Sequence, residues 1–207
     1  MKKENKIKLV SEVLFGIYCA SLLIQNILAL KSIDVGIFTV TTGILISPLI
    51  FIINDISSEI FGYNQTKRMI ILSFAMNFVM SILLQISIII PASKVYTNQI
   101  AFATIFATTL RITFFSFLAY IVGSLINSKI MVKLKDKSNL FFRAISSTIV
   151  GQLLDNAIFA FGSFFGVWPI TAILSCIIGG TIFETLYEIF IYPLTKLSIN
   201  KVENYLK

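Results

Sequence analysis

The chain has 207 residues, of which 57% are hydrophobic, and it contains 19 Phe but no His. Soluble domains rarely exceed about half apolar residues, so this composition indicates a membrane protein and leaves no room for a separate enzyme or nucleic-acid-binding domain. The net charge of +7 would suggest a nucleic-acid partner in a soluble protein, but in a membrane protein it reflects basic residues in the loops.

Six apolar segments follow one another with short connections. A helix needs roughly 20 residues to cross about 30 Å of hydrocarbon, and each segment is long enough. In chain order they cover about residues 9–30, 36–57, 69–90, 100–127, 141–165 and 169–197. The sequence therefore predicts an all-α polytopic membrane protein, with residues 1–207 forming one domain of six transmembrane helices.

Lys and Arg are distributed unequally between the two sets of loops. The N-terminus, the second and fourth loops and the C-terminus carry most of the 17 basic residues, whereas the opposite loops carry only Lys31 and Lys94. Basic residues accumulate in cytoplasmic loops. The sequence therefore predicts that both termini are cytoplasmic, in agreement with an even number of spans.

The six segments divide into two sets of three. Sets with an odd number of helices would have opposite orientations in the membrane, as in many secondary transporters. Residues 54–62 read NDISSEIFG and residues 154–162 read LDNAIFAFG, so each has an Asp before Ile-Phe and a Gly. Such short similarity also arises by chance in apolar sequence, and it leaves a 3+3 inverted repeat open.

Ionisable residues lie inside the apolar segments. Arg111 is well inside the fourth, Asp155 is near the middle of the fifth, and Glu184 is near the middle of the sixth with Glu188 one turn further. A charge at the bilayer centre costs about 2.5–3.5 kcal/mol on insertion scales. Such residues either face an aqueous cavity or join helices as structural ion pairs, and the sequence leaves both interpretations open.

Acidic residues outnumber basic ones in these segments. Asp55 and Glu59 lie one helical turn apart at the end of the second segment, either as interfacial charges that end the helix or as a cytoplasmic gate with Arg143 or Lys67. A buried site cannot hold an acidic excess unaided, so some carboxylates must be protonated, reach water or meet a cationic ligand. This favours a transporter over a purely structural bundle.

Amide side chains accompany the charges, with Gln25 and Asn26 in the first segment and Gln152 and Asn156 beside Asp155. Amides and carboxylates can match the donor and acceptor edge of a purine-like base. With no His and two separated Cys, the sequence offers neither a metal site nor a catalytic triad, and it has no phosphate-binding G-x-x-x-x-G-K-[ST] loop. No enzyme, metal or cofactor is predicted.

Several motifs together resemble one transporter family. They are NILALK (26–31), Pro48 with NDISSEIFG (54–62), Arg111 with Tyr120, RAISSTIVGQLLDNAIF (143–159) and YEIFIYPLTK (187–196). Over nearly its whole length the chain resembles the YhhQ-type queuosine precursor transporters, also called the VUT family. The resemblance implies import of 7-deazaguanine bases across the bacterial cytoplasmic (inner) membrane, for queuosine modification of tRNA.

The resemblance also implies a binding site. Asp155 would accept hydrogen bonds from the guanine-like edge, and Arg111 would balance its charge. The other side chains expected to bind substrate are Gln152, Asn26, Glu184 and Tyr187. The residues expected to form a gate or to couple protons are Asp55, Glu59, Arg143 and Glu188.

One departure from the family concerns Glu184, where many members have Lys. The departure leaves the substrate open among aminomethyl-deazaguanine, cyano-deazaguanine and queuine, and an extra carboxylate would favour the bases that carry an amine. The coupling ion and a homo-oligomeric state are also open.

Two other functions fit the composition. A substrate-binding subunit of an energy-coupling-factor vitamin-type transporter also has six helices, and Gly16 and Ala20 could dock a partner helix of such a complex. A structural membrane protein, whose buried charges only hold helices together, is the third interpretation. Lipid surrounds the chain in all three.

Overall fold

The computed structural model describes residues 3–133 and 140–206, and within them it leaves aside the side chains of residues 128, 131–133, 140–145 and 147. Most of this part of the chain is helical. The helices are α1 (Lys3–Leu28), α2 (Ser47–Ile89), α3 (Gln99–Phe106), α4 (Thr109–Lys133), α5 (Leu140–Phe164) and α6 (Ile170–Leu206). Strands β1 (Ser32–Val35) and β2 (Phe38–Thr41) and a 3-10 helix (Thr42–Leu45) separate α1 from α2.

Four helical stretches of the described residues are long and apolar enough to cross a membrane. They are Lys3–Leu28, Ser47–Ile89, Gln99–Asn127 and Ile170–Leu206. Many large apolar side chains on these stretches are exposed, for example Ile24, Leu83 and Ile178. An apolar outer surface of this kind fits a polytopic membrane protein that is surrounded by lipid. The division into six spans stays a prediction.

Helix α2 consists of two arms that fold back on each other at Gly62. This residue has φ 74° and ψ 176°, which is not helical. The hydroxyls of Ser57 and Thr66 lie 2.9 Å apart, whereas nine residues of one straight helix would span about 13 Å. The first arm (residues 47–61) and the second arm (residues 63–89) are therefore two separate helices, and the prediction that each crosses the membrane stays a prediction.

The predicted second segment was wrong at its beginning. Instead of a helix from residue 36, the chain forms the β1–β2 hairpin with Gly36 at φ 61° in its turn, and Val35 pairs with Phe38. The all-α prediction thus missed a small antiparallel sheet. Alternating Ile, Val and Thr favour extended backbone, and in this apolar context they resembled part of a helix.

Strand β2, which leads from the hairpin toward the first arm, is covered by protein. The first arm, at 1.5 Å per residue, reaches only about 22 Å and is shorter than the hydrocarbon layer. Val40 of β2 is 1% exposed, and a Cβ at Gly179 of α6 would lie 2.7 Å from Phe38 Cβ. Irregular backbone is tolerated at membrane depth only where protein buries it, and α6 provides that cover.

The predicted fourth segment is broken into α3 and α4 at residues 107–108. Gln85 of the second arm compensates for the break. Its Nε2 donates to the carbonyl oxygen of Phe106 at 3.0 Å and to Thr109 Oγ1 at 3.1 Å. The amide thus satisfies backbone at the end of α3 that has no helical partner.

Both ends of the described chain lie at the same end of the bundle. Lys6 Nζ donates to the carbonyl oxygen of Tyr205 at 2.9 Å, and Gln65 Nε2 donates to Ser11 Oγ at 3.2 Å. The bend at Gly62 is therefore on the same side as the chain ends, and the β hairpin is on the other. That this side is cytoplasmic remains a prediction from the basic residues.

Candidate functional site

Three connected cavities run through the bundle. The hairpin cavity (about 70 Å³) lies beside β2, the central cavity (about 230 Å³) lies between the helices, and the terminal cavity (about 570 Å³) lies near the chain ends. The hairpin and central cavities share Gln25, Ser47, Ser116, Asp155 and Glu184. The central and terminal cavities share Phe51, Asp55 and Glu188. The cavities thus form one path along the bundle.

The central cavity is acidic. Four carboxylates line it, from Asp55, Asp155, Glu184 and Glu188, and among the described residues no Lys or Arg does. Nor do any three Asp, Glu, Cys or His side chains of the described part come together as metal ligands would. Most of the acidic residues that the sequence places in the apolar segments therefore line one cavity, and they are spread along its length.

Asn156 holds Glu184 at the wall between the hairpin and central cavities. Its Nδ2 donates to Glu184 Oε2 at 2.7 Å and to the carbonyl oxygen of Gln152 at 3.0 Å. Asn156 is 7% exposed. A Cβ at Gly180 would collide with Asn156 Oδ1, so the missing side chain of Gly180 allows α5 and α6 to approach closely enough for this bond.

Asp155 lies where α4 and α5 approach each other closely at two glycines, Gly123 and Gly151. A Cβ at Gly123 would lie 3.0 Å from both Asp155 Cβ and the carbonyl oxygen of Gly151. Small residues let transmembrane helices approach at their backbones. The two glycines therefore fix the position of Asp155, whose carboxylate lines both the hairpin and the central cavity.

The predicted pairing of Arg111 with Asp155 was wrong. Arg111 Nε donates to the carbonyl oxygen of Gly162 at 2.6 Å, and its Nη2 donates to that of Phe165 at 2.8 Å. The guanidinium therefore binds the C-terminal end of α5, where unpaired carbonyls carry partial negative charge. Arg111 does not line the three cavities.

Asn26 lines the hairpin cavity and also forms a hydrogen bond between α1 and the second arm. Its Nδ2 donates to Asn77 Oδ1 at 3.1 Å, and the two side chains are 3% and 0% exposed. Gln152, also predicted, lines the central cavity. The cavities thus bring Asn26, Gln152, Asp155 and Glu184 together, as expected for one site, and their role in binding stays a prediction.

The residues predicted to form a gate lie nearer the chain ends. Asp55 and Glu188 line both the central and terminal cavities, and Thr148 Oγ1 donates to Glu188 Oε1 at 3.3 Å. Of the three cavities Glu59 lines only the terminal one, whose wall also includes Lys196. The side chain of Arg143 lies outside the described residues.

Tyr187 lies apart from the other side chains that the sequence predicts to bind substrate. It lines the terminal cavity with the gate residues and does not line the cavities that contain Asp155. Tyr187 is about one helical turn from Glu184 on α6, but the two side chains line different cavities. Tyr187 therefore lies beside the predicted gate residues, and its role in substrate binding stays a prediction.

Sequence reasoning also missed cavity residues that carry no charge. Ser47, Ser116 and Tyr18 line the cavities, and Gln25 Nε2 donates to Ser47 Oγ at 3.0 Å. Ser47 begins the first arm, two residues after the last residue of the 3-10 helix. Small hydroxyl residues are common in transmembrane helices, so only their positions in the fold distinguish them.

Comparison with known proteins identifies the family. The sequence profile of the family described as "Putative vitamin uptake transporter" matches residues 41–198. The chain belongs to this family. The vitamin uptake family match covers both arms of α2 and helices α3 to α5, together with most of α6. Most residues that line the cavities therefore lie within the matched region, whereas the cavity residues of α1, among them Gln25 and Asn26, precede it.

A curated relative supports the same assignment. The chain is 24% identical over 159 residues to a protein of Bacillus subtilis (strain 168) named "Probable queuosine precursor transporter", a match that covers 75% of this chain and 67% of the relative. No solved structure matches the chain. With its apolar helices, this member of a transporter family is an integral membrane protein of the bacterial cytoplasmic membrane.

Proposed function

We propose that the protein imports queuosine precursors, which are 7-deazaguanine bases, as a secondary transporter that supplies tRNA modification. The observation that carries the proposal is the central cavity, where carboxylates and amides of α1, α5 and α6 converge inside a transporter-family fold. The relative in Bacillus subtilis, by its name, points to the same class of substrate. A polar path through an apolar bundle is what a transporter of a polar base needs.

Asp155 is the proposed acceptor for the base. A guanine-like edge presents a ring N–H and an amino group as neighbouring donors, and a carboxylate can accept both. Gln152 and Asn26 supply amides near Asp155 on the same cavities. Phe74 and Tyr120, whose ring centroids lie 5.8 Å apart, border the central cavity and offer an aromatic face.

The terminal cavity gives the proposed route of release. With the chain ends in the cytoplasm, this cavity opens inward, and Asp55 and Glu188 stand between it and the central cavity. On the opposite side, the β hairpin and α6 cover the hairpin cavity. The described conformation is therefore assigned as inward-facing, with the gate formed by Asp55, Glu59 and Glu188.

The experiment that tests this function measures queuosine in tRNA. A host that neither makes the precursor nor has its own importer expresses this chain alone and is fed each deazaguanine base at low concentration. Return of queuosine is the expected result, and it should be lost in Asp155→Asn while the variant is still present in the membrane. No queuosine with any base, despite protein in the membrane, contradicts the proposal.

A second candidate is the substrate-binding subunit of an energy-coupling-factor transporter. Gly16 and Ala20 lie on the exposed side of α1, and no atom lies within 4 Å of a Cβ built at Gly16. A partner helix could pack there. The same experiment separates the two functions, because a binding subunit restores queuosine only when its partner subunits are expressed with it.

A further inference from the structure

We infer that the central cavity selects a positively charged substrate, an aromatic base that carries a protonated amine, over the neutral base with the same ring. This inference rests on the proposed function and names the substrate class of the same site. Glu184 is the residue assigned to the ammonium group, and Asn156 is assigned as the side chain that positions Glu184.

The first observation is the charge of the cavity. Asp55, Asp155, Glu184 and Glu188 all line it, and the described residues contribute no Lys or Arg to its wall. The one salt bridge among the described side chains joins Lys8 and Glu12 on the surface of α1. Carboxylates taken out of water require a compensating charge or proton, and here the protein itself supplies no cation.

The second observation is that the cavity has more carboxylates than a neutral base has groups of donors to bind them. The donor edge of a guanine-like ring satisfies one carboxylate, which is assigned to Asp155. A neutral substituent such as a nitrile can only accept hydrogen bonds, so it would face the remaining carboxylates as another acceptor. An alkyl ammonium donates three hydrogen bonds and carries the missing charge.

Glu184 is better placed for this role than the other carboxylates. It lines the hairpin and central cavities together with Asp155, whereas Asp55 and Glu188 lie toward the terminal cavity. Asn156 occupies Glu184 Oε2, and no side chain of the described residues donates to its other oxygen. One oxygen of Glu184 is therefore fixed by the protein and the other is available to a ligand.

The environment of Asn156 is a further, independent observation that points to a ligand-binding site. The side chain is 7% exposed, lines the hairpin cavity and uses Nδ2 for Glu184 and the carbonyl oxygen of Gln152. Within the described part of the chain, no group donates to its Oδ1. An amide side chain on the cavity wall whose oxygen accepts no hydrogen bond from the described residues, beside a carboxylate with one open oxygen, suits a ligand that donates several hydrogen bonds.

A bare metal ion fits the cavity less well than an organic cation. No three carboxylates of the described residues come together as ligands of one ion. Divalent cations such as Ca²⁺ need six or more oxygens at about 2.3–2.6 Å. An elongated molecule, with a base at one end and an ammonium at the other, instead matches carboxylates that are spread along a cavity.

The test uses two bases with the same ring. Aminomethyl-deazaguanine carries an alkyl amine, and cyano-deazaguanine carries a neutral nitrile. The alkyl amine of Lys has a pKa of about 10.4, so an amine of this kind is protonated at neutral pH. Dissociation constants of both are measured by calorimetry with the purified full chain in detergent. The expected result is binding of the amine about tenfold tighter or more, which corresponds to about 1.4 kcal/mol and lies within the range of coupling that close charge pairs can reach.

Three variants test which residues produce the preference for the base that carries the amine. Glu184→Gln is expected to reduce the preference about tenfold and to retain binding of the cyano base. Asn156→Ala is expected to reduce the preference as well, which a merely structural role in α5 would not do. Glu12→Gln changes an exposed carboxylate outside the cavities and is the matched control, with an unchanged preference.

Each other outcome is decisive. Equal affinities of the wild-type chain for the two bases overturn the inference and leave the proposed function intact. A preference that survives Glu184→Gln overturns the assignment to Glu184, and if that variant does not fold, Asn156→Ala gives the same information. Binding of neither base, together with no queuosine in the tRNA experiment, overturns the proposed function itself.

Discussion

Ser57 Oγ and Thr66 Oγ1 form a 2.9 Å hydrogen bond across the bend at Gly62. Both side chains are buried, at 2% and 4% exposure. The bond joins the two arms of α2 where they separate. It holds the first arm, which carries Asp55 on the cavity path, against the second arm, which packs on α1 and α4.

This bond can be measured with a double-mutant cycle. Ser57→Ala and Thr66→Val each remove one partner, and we expect a coupling of about 0.5–1.5 kcal/mol in the free energy of unfolding. Chemical denaturation of the purified chain in detergent measures it. Ser58→Ala, an exposed neighbour, is the control and should change stability by less than about 0.5 kcal/mol. A coupling of zero contradicts the contact.

Gly62 should tolerate no side chain without a loss of stability. Its φ of 74° and ψ of 176° lie in a region that is essentially restricted to Gly, and another residue there costs about 1–3 kcal/mol. Gly62→Ala should therefore lower the melting temperature in detergent, although no atom would clash with the new Cβ.

Gly16→Ala is the matched control for Gly62→Ala. A Cβ at Gly16 also meets open space, but this residue lies in the interior of α1. Replacing Gly by Ala inside a helix stabilises it by up to about 1 kcal/mol. Equal effects of the two substitutions would show that the backbone at Gly62 is ordinary helix.

Arg111 should stabilise the fold independently of Asp155. Arg111→Gln removes two charge-assisted hydrogen bonds to carbonyls at the end of α5, each of which is worth about 1.5–3 kcal/mol. We expect a lower melting temperature for Arg111→Gln and an additive effect, within about 0.5 kcal/mol, when Asp155→Asn is combined with it. Restored stability in the double variant would instead indicate an ion pair between the two.

The Asn26–Asn77 bond separates a structural role from a binding role. Either Asn→Leu substitution alone leaves a buried amide without its partner and should destabilise the chain by about 1–3 kcal/mol, whereas the double substitution should be close to neutral. Thermal unfolding measures this pattern. The stable double variant should still bind deazaguanine more weakly than wild type, because Asn26 lines the hairpin cavity. Wild-type binding in the double variant would confine Asn26 to structure.

Apolar segments and basic loops could be predicted from the sequence because they depend on local composition. Long apolar stretches must lie in lipid, and the described helices Lys3–Leu28 and Ile170–Leu206 cover nearly all of the first and last predicted segments. The bend between the second and third segments was also predictable, since Gly62 and the charges after it interrupt the apolar sequence. The family followed from motifs that occur together.

The hairpin and the partner of Arg111 could not be predicted in the same way. Residues 36–45 are as apolar as a helix, and only their packing on α6 makes extended backbone stable there. The charge of Arg111 required some partner, and Asp155 was the obvious candidate in the sequence. Carbonyls at a helix end are present in every helix, so no sequence pattern marks them as the partner.

By itself, the sequence determined that this chain is a membrane protein of the transporter family with more acids than bases in its apolar segments, since these properties depend on residue types and their order. Only the tertiary structure decided which acids face one cavity and which side chains hold them. That selection arises from close packing at Gly123, Gly151 and Gly180, because the absence of side chains there lets α4, α5 and α6 approach and turns Asp155 and Glu184 toward the same cavity.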